Sequence, residues 1–237
     1  MTISADLPIS AGVLNARGIR QCVGKDDPII VEVGANCGQT TLEMLEAMPR
    51  ATIYAFEPDP RAIAKFRSVI KHPNVHLYEC AIGAENGTIS FNQSSGAEDQ
   101  PGYSGGWDQS GSIRRPKAHL TQYPWVKFEE QITVPIMTLD TWSEQHNIAK
   151  ADFVWADVQG AESDLVQGGA RLLNASRYFY TEYSNDECYE GQISLSGILE
   201  MLPNFELVSR FEMDVLLRNK RERHESLGRI TYPQIQL

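Results

Sequence analysis

The chain has 237 residues, of which 42% are hydrophobic and 22% are charged, values typical of one folded domain and not of a disordered chain. Its formal net charge of −10 argues against nucleic-acid binding, which relies on clustered Lys and Arg. The sequence contains neither a secretory signal pattern at its N-terminus nor an apolar run of about 18 residues, so we expect a cytoplasmic protein without a membrane span.

The cysteines do not predict a metal site. The four of them, Cys22, Cys37, Cys80 and Cys188, are widely spaced and form no CxxC pair. Their spacing also does not suggest a dense disulfide framework, which fits a reducing compartment.

The first part of the chain alternates apolar strand patterns with helical patterns. This alternation predicts a parallel sheet with helices on its faces and a right-handed βαβαβ unit. The predicted strands and the two helices between them are Ile29–Val33, Ala51–Phe56, Val75–Tyr78, Thr40–Met48 and Asp59–Ile70.

The pattern then changes. Residues 81–83 and 87–91 predict a β-hairpin, with Glu85-Asn86-Gly87 as its turn. A segment rich in Gly, Ser, Gln and Asp follows, and loops this long are usually functional or disordered. We predict that residues 93–118 form a lid that orders over the bound acceptor substrate.

Regular structure returns after this loop, and nothing in it marks a domain boundary. The whole chain is therefore predicted as one domain, residues 1–237, with residues 1–28 as an N-terminal extension. The last two strands are joined tightly enough to be antiparallel. The predicted elements are strands 132–136, 153–157, 178–182, 205–209 and 213–217, and helices beginning at Leu139 and spanning 162–173 and 194–201.

The turn after the first strand indicates what kind of ligand the sheet binds. Gly34 and Gly38 have the spacing G-x-x-x-G, which lacks the middle glycine that lets a pyrophosphate approach the backbone in dinucleotide-binding proteins. In open α/β sheets ligands bind at the carboxyl ends of the strands. The loop therefore suits a ligand without a pyrophosphate.

Two further strand ends complete the predicted pocket. Glu57, followed by Pro58, closes the second strand, where a carboxylate accepts ribose hydroxyls; the alternative is a helix N-terminal acid, the role we assign to Asp59. Cys80 and Ala81 follow the third strand, beside the expected base, although core packing explains them equally well. A ribose and an adenine without pyrophosphate describe S-adenosylmethionine.

Several segments of the sequence resemble the FkbM family of methyltransferases, in order, from about residue 29 to about residue 210. The D-x-x-G-x-E segment is the most specific of them. The segments are Val31–Gly38, Phe56–Pro58, Thr138–Asp140, Asp157–Glu162 and Gly168–Ala170.

The resemblance implies a Rossmann-like class I methyltransferase fold, with a seven-stranded, mostly parallel sheet and an antiparallel C-terminal strand. It implies O-methylation of a hydroxyl on a sugar, a glycan or a secondary metabolite, whose identity does not carry over. Two residues depart from the family pattern: Gln159 replaces a glutamate and Trp155 replaces a common lysine. The predicted cofactor-binding residues are Glu32, Gly34, Ala35, Asn36, Gly38, Glu57, Pro58, Cys80, Ala81 and Asp157.

Three residues are candidates for the proton transfer that a hydroxyl acceptor needs. Asp157, after the strand at 153–157, is the first candidate, as general base or cofactor contact, with helix capping as its alternative. Glu182 ends the next strand, and His119 follows the loop. A magnesium ion held by Asp157, Gln159 and Glu182 is a minor alternative; our prediction is no metal.

Two other functions stay open at this stage. Gln159 keeps open a non-catalytic, methyltransferase-fold binding or partner protein. An NAD(P)-dependent oxidoreductase is the second alternative, and the G-x-x-x-G spacing speaks against it. A homodimer is compatible with the sequence, which does not determine the oligomeric state.

Overall fold

The computed structural model describes residues 12–96 and 106–221. The strands within these ranges are β1 (Ile29–Val33), β2 (Thr52–Phe56), β3 (Val75–Tyr78), β4 (Ala81–Ile82), β5 (Gly87–Gly96), β6 (Val126–Met137), β7 (Phe153–Ala156), β8 (Tyr178–Glu182), β9 (Phe205–Arg210) and β10 (Asp214–Asn219). The helices are α1 (Ala16–Val23), α2 (Gln39–Ala47), α3 (Pro60–Val69), α4 (His119–Gln122), α5 (Leu139–Gln145), α6 (Glu162–Gly168), α7 (Ala170–Ala175) and α8 (Leu195–Met201).

Seven strands form the main sheet in the order β3-β2-β1-β7-β8-β10-β9. Neighbouring strands from β3 through β8 are parallel, whereas β10 is antiparallel to both β8 and β9. This confirms the predicted class I methyltransferase fold and its C-terminal antiparallel pair. The chain moves outward from β1 to β3 and then returns to β7 on the other side of β1, so the order of strands switches between β1 and β7.

The sheet separates two hydrophobic cores because successive side chains of a strand point to opposite faces. Val31 and Val33 of β1 pack with residues of α5 to α8 on one face. Ile30 packs on the other face with Ile19 of α1 and Met44 of α2. Strand β1 therefore buries apolar side chains on both faces, as is typical of a central parallel strand, and Glu32 is its one polar residue.

Local signals set the ends of several helices. Asp59 caps α3 by accepting a hydrogen bond from the backbone nitrogen of Arg61, and Pro60 occupies the first helical position. Asn15, Thr138 and Ser194 cap α1, α5 and α8 in the same way. The capping role predicted for Asp59 is thus confirmed.

The predicted hairpin of residues 81–91 is wrong. Strands β4 and β5 do not pair with each other; both pair with β6, which lies between them, parallel to β4 and antiparallel to β5. A two-residue strand offers few hydrogen bonds, whereas the long β5–β6 ladder satisfies the backbone over most of both strands. The second sheet therefore forms from elements far apart in sequence.

The helix predicted at 162–173 is also two helices, α6 and α7, that meet at Gly169. A Cβ on Gly168 would lie 2.0 Å from the carbonyl oxygen of Gly83, so the backbone of α6 passes directly against β4's end. The two glycines permit this close approach. None of the described helices is long and apolar enough to cross a membrane.

Candidate active site

A cavity of about 300 Å³ opens at the carboxyl ends of β1, β2 and β7, where the strand order switches. This is the usual ligand site of an open α/β sheet. The cavity is lined from β1 through the following loop, from the end of β2, from residues 80–82 and from the turn after β7. Of the predicted cofactor residues, its walls include Gly34, Ala35, Asn36, Glu57, Pro58, Cys80, Ala81 and Asp157.

The glycine loop folds tightly onto the end of β2. The backbone nitrogens of Gly34 and Ala35 both donate to the carbonyl oxygen of Phe56, at 3.0 Å each. Gly34 has a φ of +85°, and a Cβ there would lie 1.9 Å from the carbonyl oxygen of Asp157. No other residue type fits this position without displacing the turn that carries Asp157.

Glu57 presents a buried carboxylate to the cavity. Its two oxygens accept hydrogen bonds from the backbone nitrogens of Asn36 and Asp59, both at 2.8 Å. Burial raises the pKa of Glu57 to about 7, against the lowering effect of these two hydrogen bonds. Each carboxylate oxygen still has a lone pair for a ligand hydroxyl.

Asp157 and Glu182 lie on either side of one amide. The Nε2 of Gln159 donates to Oδ1 of Asp157 at 2.7 Å and to Oε2 of Glu182 at 2.9 Å. Burial raises the pKa of both carboxyls, and the neighbouring charge of Asp157 raises that of Glu182 further, well above its usual range. Their mutual hydrogen bond lowers the pKa of Asp157 and raises that of Glu182, so a proton shared by the pair favours Glu182 over Asp157.

A profile of the methyltransferase FkbM domain matches residues 32–220. The chain belongs to the FkbM methyltransferase family. Among curated proteins, it is 44% identical over 210 residues to the 2-O-methyltransferase NoeI of Sinorhizobium fredii (strain NBRC 101917 / NGR234), a match that covers 86% of this chain and 85% of that protein. It is 30% identical over 154 residues to Methyltransferase 1 of Beauveria bassiana (strain ARSEF 2860), covering 60% of this chain and 59% of that protein.

Solved structures give weaker matches. Aeropyrum pernix fibrillarin, with natively bound S-adenosyl-L-methionine, aligns with a TM-score of 0.45 at 13% identity. The alignment covers 91% of this chain and 86% of the fibrillarin chain. EvdMO1 aligns with a TM-score of 0.45 at 15% identity, and the alignment covers 86% of this chain and 40% of the EvdMO1 chain. The family and the curated relative identify this FkbM protein as an S-adenosylmethionine-dependent O-methyltransferase, as the sequence predicted.

Two residues predicted for cofactor binding are not part of the cavity wall of this FkbM domain. Glu32 is 1% exposed, and one of its oxygens accepts a hydrogen bond from the Thr41 hydroxyl at 2.5 Å, which ties β1 to α2. Gly38 is the N-cap of α2 and has a φ of +85°, with Phe66 and Ile70 where a Cβ would stand. Both residues shape the loop without facing the ligand space.

The three predicted catalytic residues of the methyltransferase are not all brought together. Asp157 lines the first cavity, and it also lines an adjoining cavity of about 290 Å³ together with Glu182. His119 lines neither; it is buried among the rings of Tyr123, Phe128 and Tyr189, with its Nδ1 unpartnered among the described residues. Burial lowers the pKa of His119, and its position corrects the expectation that it reaches the cleft.

The sequence did not point to several groups of the methyltransferase that the structure places at the site. Gln159, considered as a departure from the family pattern and as a minor magnesium-ligand candidate, has a φ of +50° and bridges the two carboxylates. Its side-chain oxygen accepts from the Tyr189 hydroxyl at 3.0 Å, and its carbonyl oxygen accepts from Ser112 at 2.7 Å. Because its amide nitrogen faces both carboxylates, the geometry does not favour the magnesium alternative.

Proposed function

We propose that this O-methyltransferase methylates a hydroxyl of a sugar, a glycan or a related secondary metabolite, with Asp157 as general base. The observation that carries the proposal is that Asp157 lies between two adjoining cavities, where the Gln159 amide holds it beside Glu182. A base at that place reaches the acceptor while the cofactor occupies the first cavity.

The residues of the first cavity fit S-adenosylmethionine. The Glu57 carboxylate is placed to accept ribose hydroxyls, and Gly34 keeps the loop backbone against the turn of Asp157. The described lining contains no Lys, Arg or His that would bind a phosphate, whereas Glu57 and Asp157 favour a cationic ligand. Bound S-adenosylmethionine supplies a methyl group already activated on a positive sulfur.

The chain's own residues then have two tasks: to align the acceptor oxygen and to take its proton. In this proposal Asp157 accepts the proton of the acceptor hydroxyl as the new carbon–oxygen bond forms. Glu182 donates a hydrogen bond to Asp157 and so keeps its own proton. Gln159 positions the pair and cannot itself act as a base.

Part of the segment predicted as a lid, residues 93–118, borders the first cavity. Residues 97–105 lie outside the described residues. Asp108 accepts a hydrogen bond from Lys65 at 2.6 Å through its side chain and from the Asn36 amide at 3.1 Å through its carbonyl. Asp108, Ser112 and Ile113 line the first cavity. We propose that this part of the lid closes over the cofactor and excludes water there, instead of covering the acceptor.

We take the proposed position of the acceptor hydroxyl from the 44% identical relative. Its name specifies a 2-O-methyltransferase, and we extend this position to the present chain as part of the proposal. A sugar with adjacent ring hydroxyls suits a pocket whose polar groups mostly accept hydrogen bonds.

A cytoplasmic location agrees with four unpaired cysteines. A homodimer remains a prediction that gel filtration with light scattering tests.

Substitution of Asp157 tests the proposal. Asp157→Asn keeps the shape of the side chain and removes the base, so we expect kcat to fall by about 10²- to 10⁴-fold. The measurement is transfer of a labelled methyl group to a panel of neutral methyl hexosides and hexosaminides. The Kd for S-adenosylhomocysteine, measured by calorimetry, should change by less than about twofold. The sulfur of S-adenosylhomocysteine is uncharged, so it forms no ion pair with Asp157 that the substitution could remove.

Asp186→Asn provides the control, because Asp186 is an exposed carboxylate outside both cavities. An Asp157→Asn variant as fast as the Asp186→Asn variant would exclude Asp157 as the base. Absence of methyl transfer to every glycoside of the panel would exclude the sugar hydroxyl as acceptor.

A further inference from the structure

The second cavity adjoins the first and shares four wall residues with it. The shared residues are Gln39, Thr40, Trp155 and Asp157, so the two spaces meet at the proposed base. Both cavities have similar volumes, about 300 and 290 Å³. An acceptor in the second cavity would therefore face the reactive end of a cofactor in the first across Asp157.

Four carboxylates dominate the polar lining of this second cavity. Glu43 of α2, Asp157, Glu182 and Asp214 contribute to it, whereas the described lining contains no Lys, Arg or His. Glu182 and Asp214 stand directly opposite each other on β8 and β10. The charge of Asp214 raises the pKa of Glu182, because two carboxyl groups at opposed strand positions are destabilising when both are charged.

The remaining walls are aromatic and apolar. The rings of Trp155 and Tyr180 have centroids 4.3 Å apart, and Ile19 and Met44 are buried beside the cavity. The N-terminal segment forms another wall, where the backbone nitrogen of Leu14 donates to the Tyr180 hydroxyl at 3.3 Å. Such a pocket offers a flat apolar surface for a ring and several acceptors for its hydroxyl groups.

From this arrangement we infer that the second cavity is the acceptor site and that it selects neutral or cationic polyhydroxylated rings against phosphorylated or carboxylated ones. The inference deepens the proposed function and depends on it. An anionic group would lie among carboxyl groups without a cation in the described lining to compensate it, so like charges would repel it. Hydroxyl and ammonium groups would instead donate hydrogen bonds to the same carboxylates.

A set of three matched glycosides tests the inference without turnover. Methyl glucoside, methyl glucosaminide and methyl glucuronide share one ring and differ in charge. Their binding to the full chain saturated with S-adenosylhomocysteine is measured by saturation-transfer NMR. We expect the neutral and cationic rings to bind at least about tenfold more tightly than the anionic ring, because like charges repel.

Two charge reversals on one helix localise the effect. Glu43 lines the cavity and Glu46, three residues further along α2, does not, and both side chains are exposed. Glu43→Lys should reduce the discrimination against the glucuronide by at least about threefold, whereas Glu46→Lys should leave it unchanged, since charge effects fall with distance.

Three results would overturn the inference: no binding of any ring, equal or tighter binding of the glucuronide, or the same effect from both lysine variants. Failure of the proposed function is seen separately. If neutral glycosides are methylated and Asp157→Asn is inactive, but the two lysine variants behave alike, only the acceptor cavity is wrong. If the Asp157→Asn variant keeps full activity, the base is wrong even where the charge selectivity holds.

Discussion

At the scale of single residues, Glu57 is the group whose state affects cofactor binding most directly. It is 5% exposed and accepts two backbone hydrogen bonds, which hold its carboxylate at the end of β2. Its burial raises the pKa to about 7, so a fraction of the free protein carries a proton on Glu57 near neutral pH. A protonated carboxyl accepts fewer hydrogen bonds than a carboxylate.

The affinity for S-adenosylhomocysteine should therefore weaken as the pH falls below about 7 and level off above it. Glu57→Ala should weaken binding by about tenfold to a hundredfold, the value of one or two charge-assisted hydrogen bonds. Glu57→Gln should bind weakly at every pH and lose the pH dependence. Calorimetry at pH 6, 7 and 8 measures all three.

Glu79→Gln is the matched control, because Glu79 lies just after β3, pairs with Arg67 and is outside the cavity. A wild-type affinity that does not vary between pH 6 and 8, together with an unaltered Glu57→Ala variant, would remove Glu57 from the cofactor site.

At the scale of secondary-structure elements, the Thr138-Leu139-Asp140 segment has a structural role. Thr138 caps α5, and Leu139 is fully buried. The two carboxylate oxygens of Asp140 accept from the backbone nitrogens of Arg171 and Leu172 at 2.9 and 2.8 Å, in the first turn of α7. One side chain thus satisfies two free donors of a neighbouring helix.

Asp140→Ala should lower the free energy of unfolding by about 1–2 kcal/mol, as loss of a helix cap does. Urea denaturation measures the change. The Kd for S-adenosylhomocysteine should not change, since Asp140 lines neither cavity. Glu144→Ala is the control on the same helix: Glu144 pairs with the same Arg171, but it is 67% exposed, and such pairs contribute about 0–1 kcal/mol. Equal effects of the two variants would contradict the capping role.

At the scale of the whole molecule, several buried carboxyl groups lie near the carboxyl ends of the strands, around the candidate active site. Burial raises the pKa of Glu32 to about 8 and those of Glu57 and Glu162 to about 7. Each group binds a proton in the folded chain at pH values where the unfolded chain has released it. Such a group favours the folded state most at low pH, and its contribution is lost as the pH rises through the folded pKa.

The free protein should therefore become less stable between pH 6.5 and pH 8. His119, whose pKa is lowered from 6.5, has the opposite effect, mainly below that range. Urea denaturation across this range measures the slope. Glu32→Gln mimics the protonated group and should flatten the slope with little cost at pH 6.5, whereas Glu46→Gln, on the exposed face of α2, should leave it unchanged. A stability that is constant or rises with pH would contradict these shifts.

The local part of the fold was predictable because it depends on neighbours in sequence. The apolar run of Ile29–Val33, the cap at Asp59 and the tight turn before β10 each contain their own signal. The loop at Gly34 and the acid at Glu57 follow from the strands that they terminate. Eight of the ten residues predicted to bind the cofactor therefore line the first cavity.

The sequence by itself determined the strand and helix periodicity and the turn without pyrophosphate provision, since each depends on contiguous residues. It also determined the methyltransferase class, through short motifs whose order along the chain is visible without the fold. Only the tertiary structure decided that β6 separates β4 from β5, that His119 lies away from the cleft and that Gln159 joins Asp157 to Glu182. These depend on contacts between segments tens of residues apart, where packing and backbone hydrogen bonding choose among partners that local patterns leave equivalent.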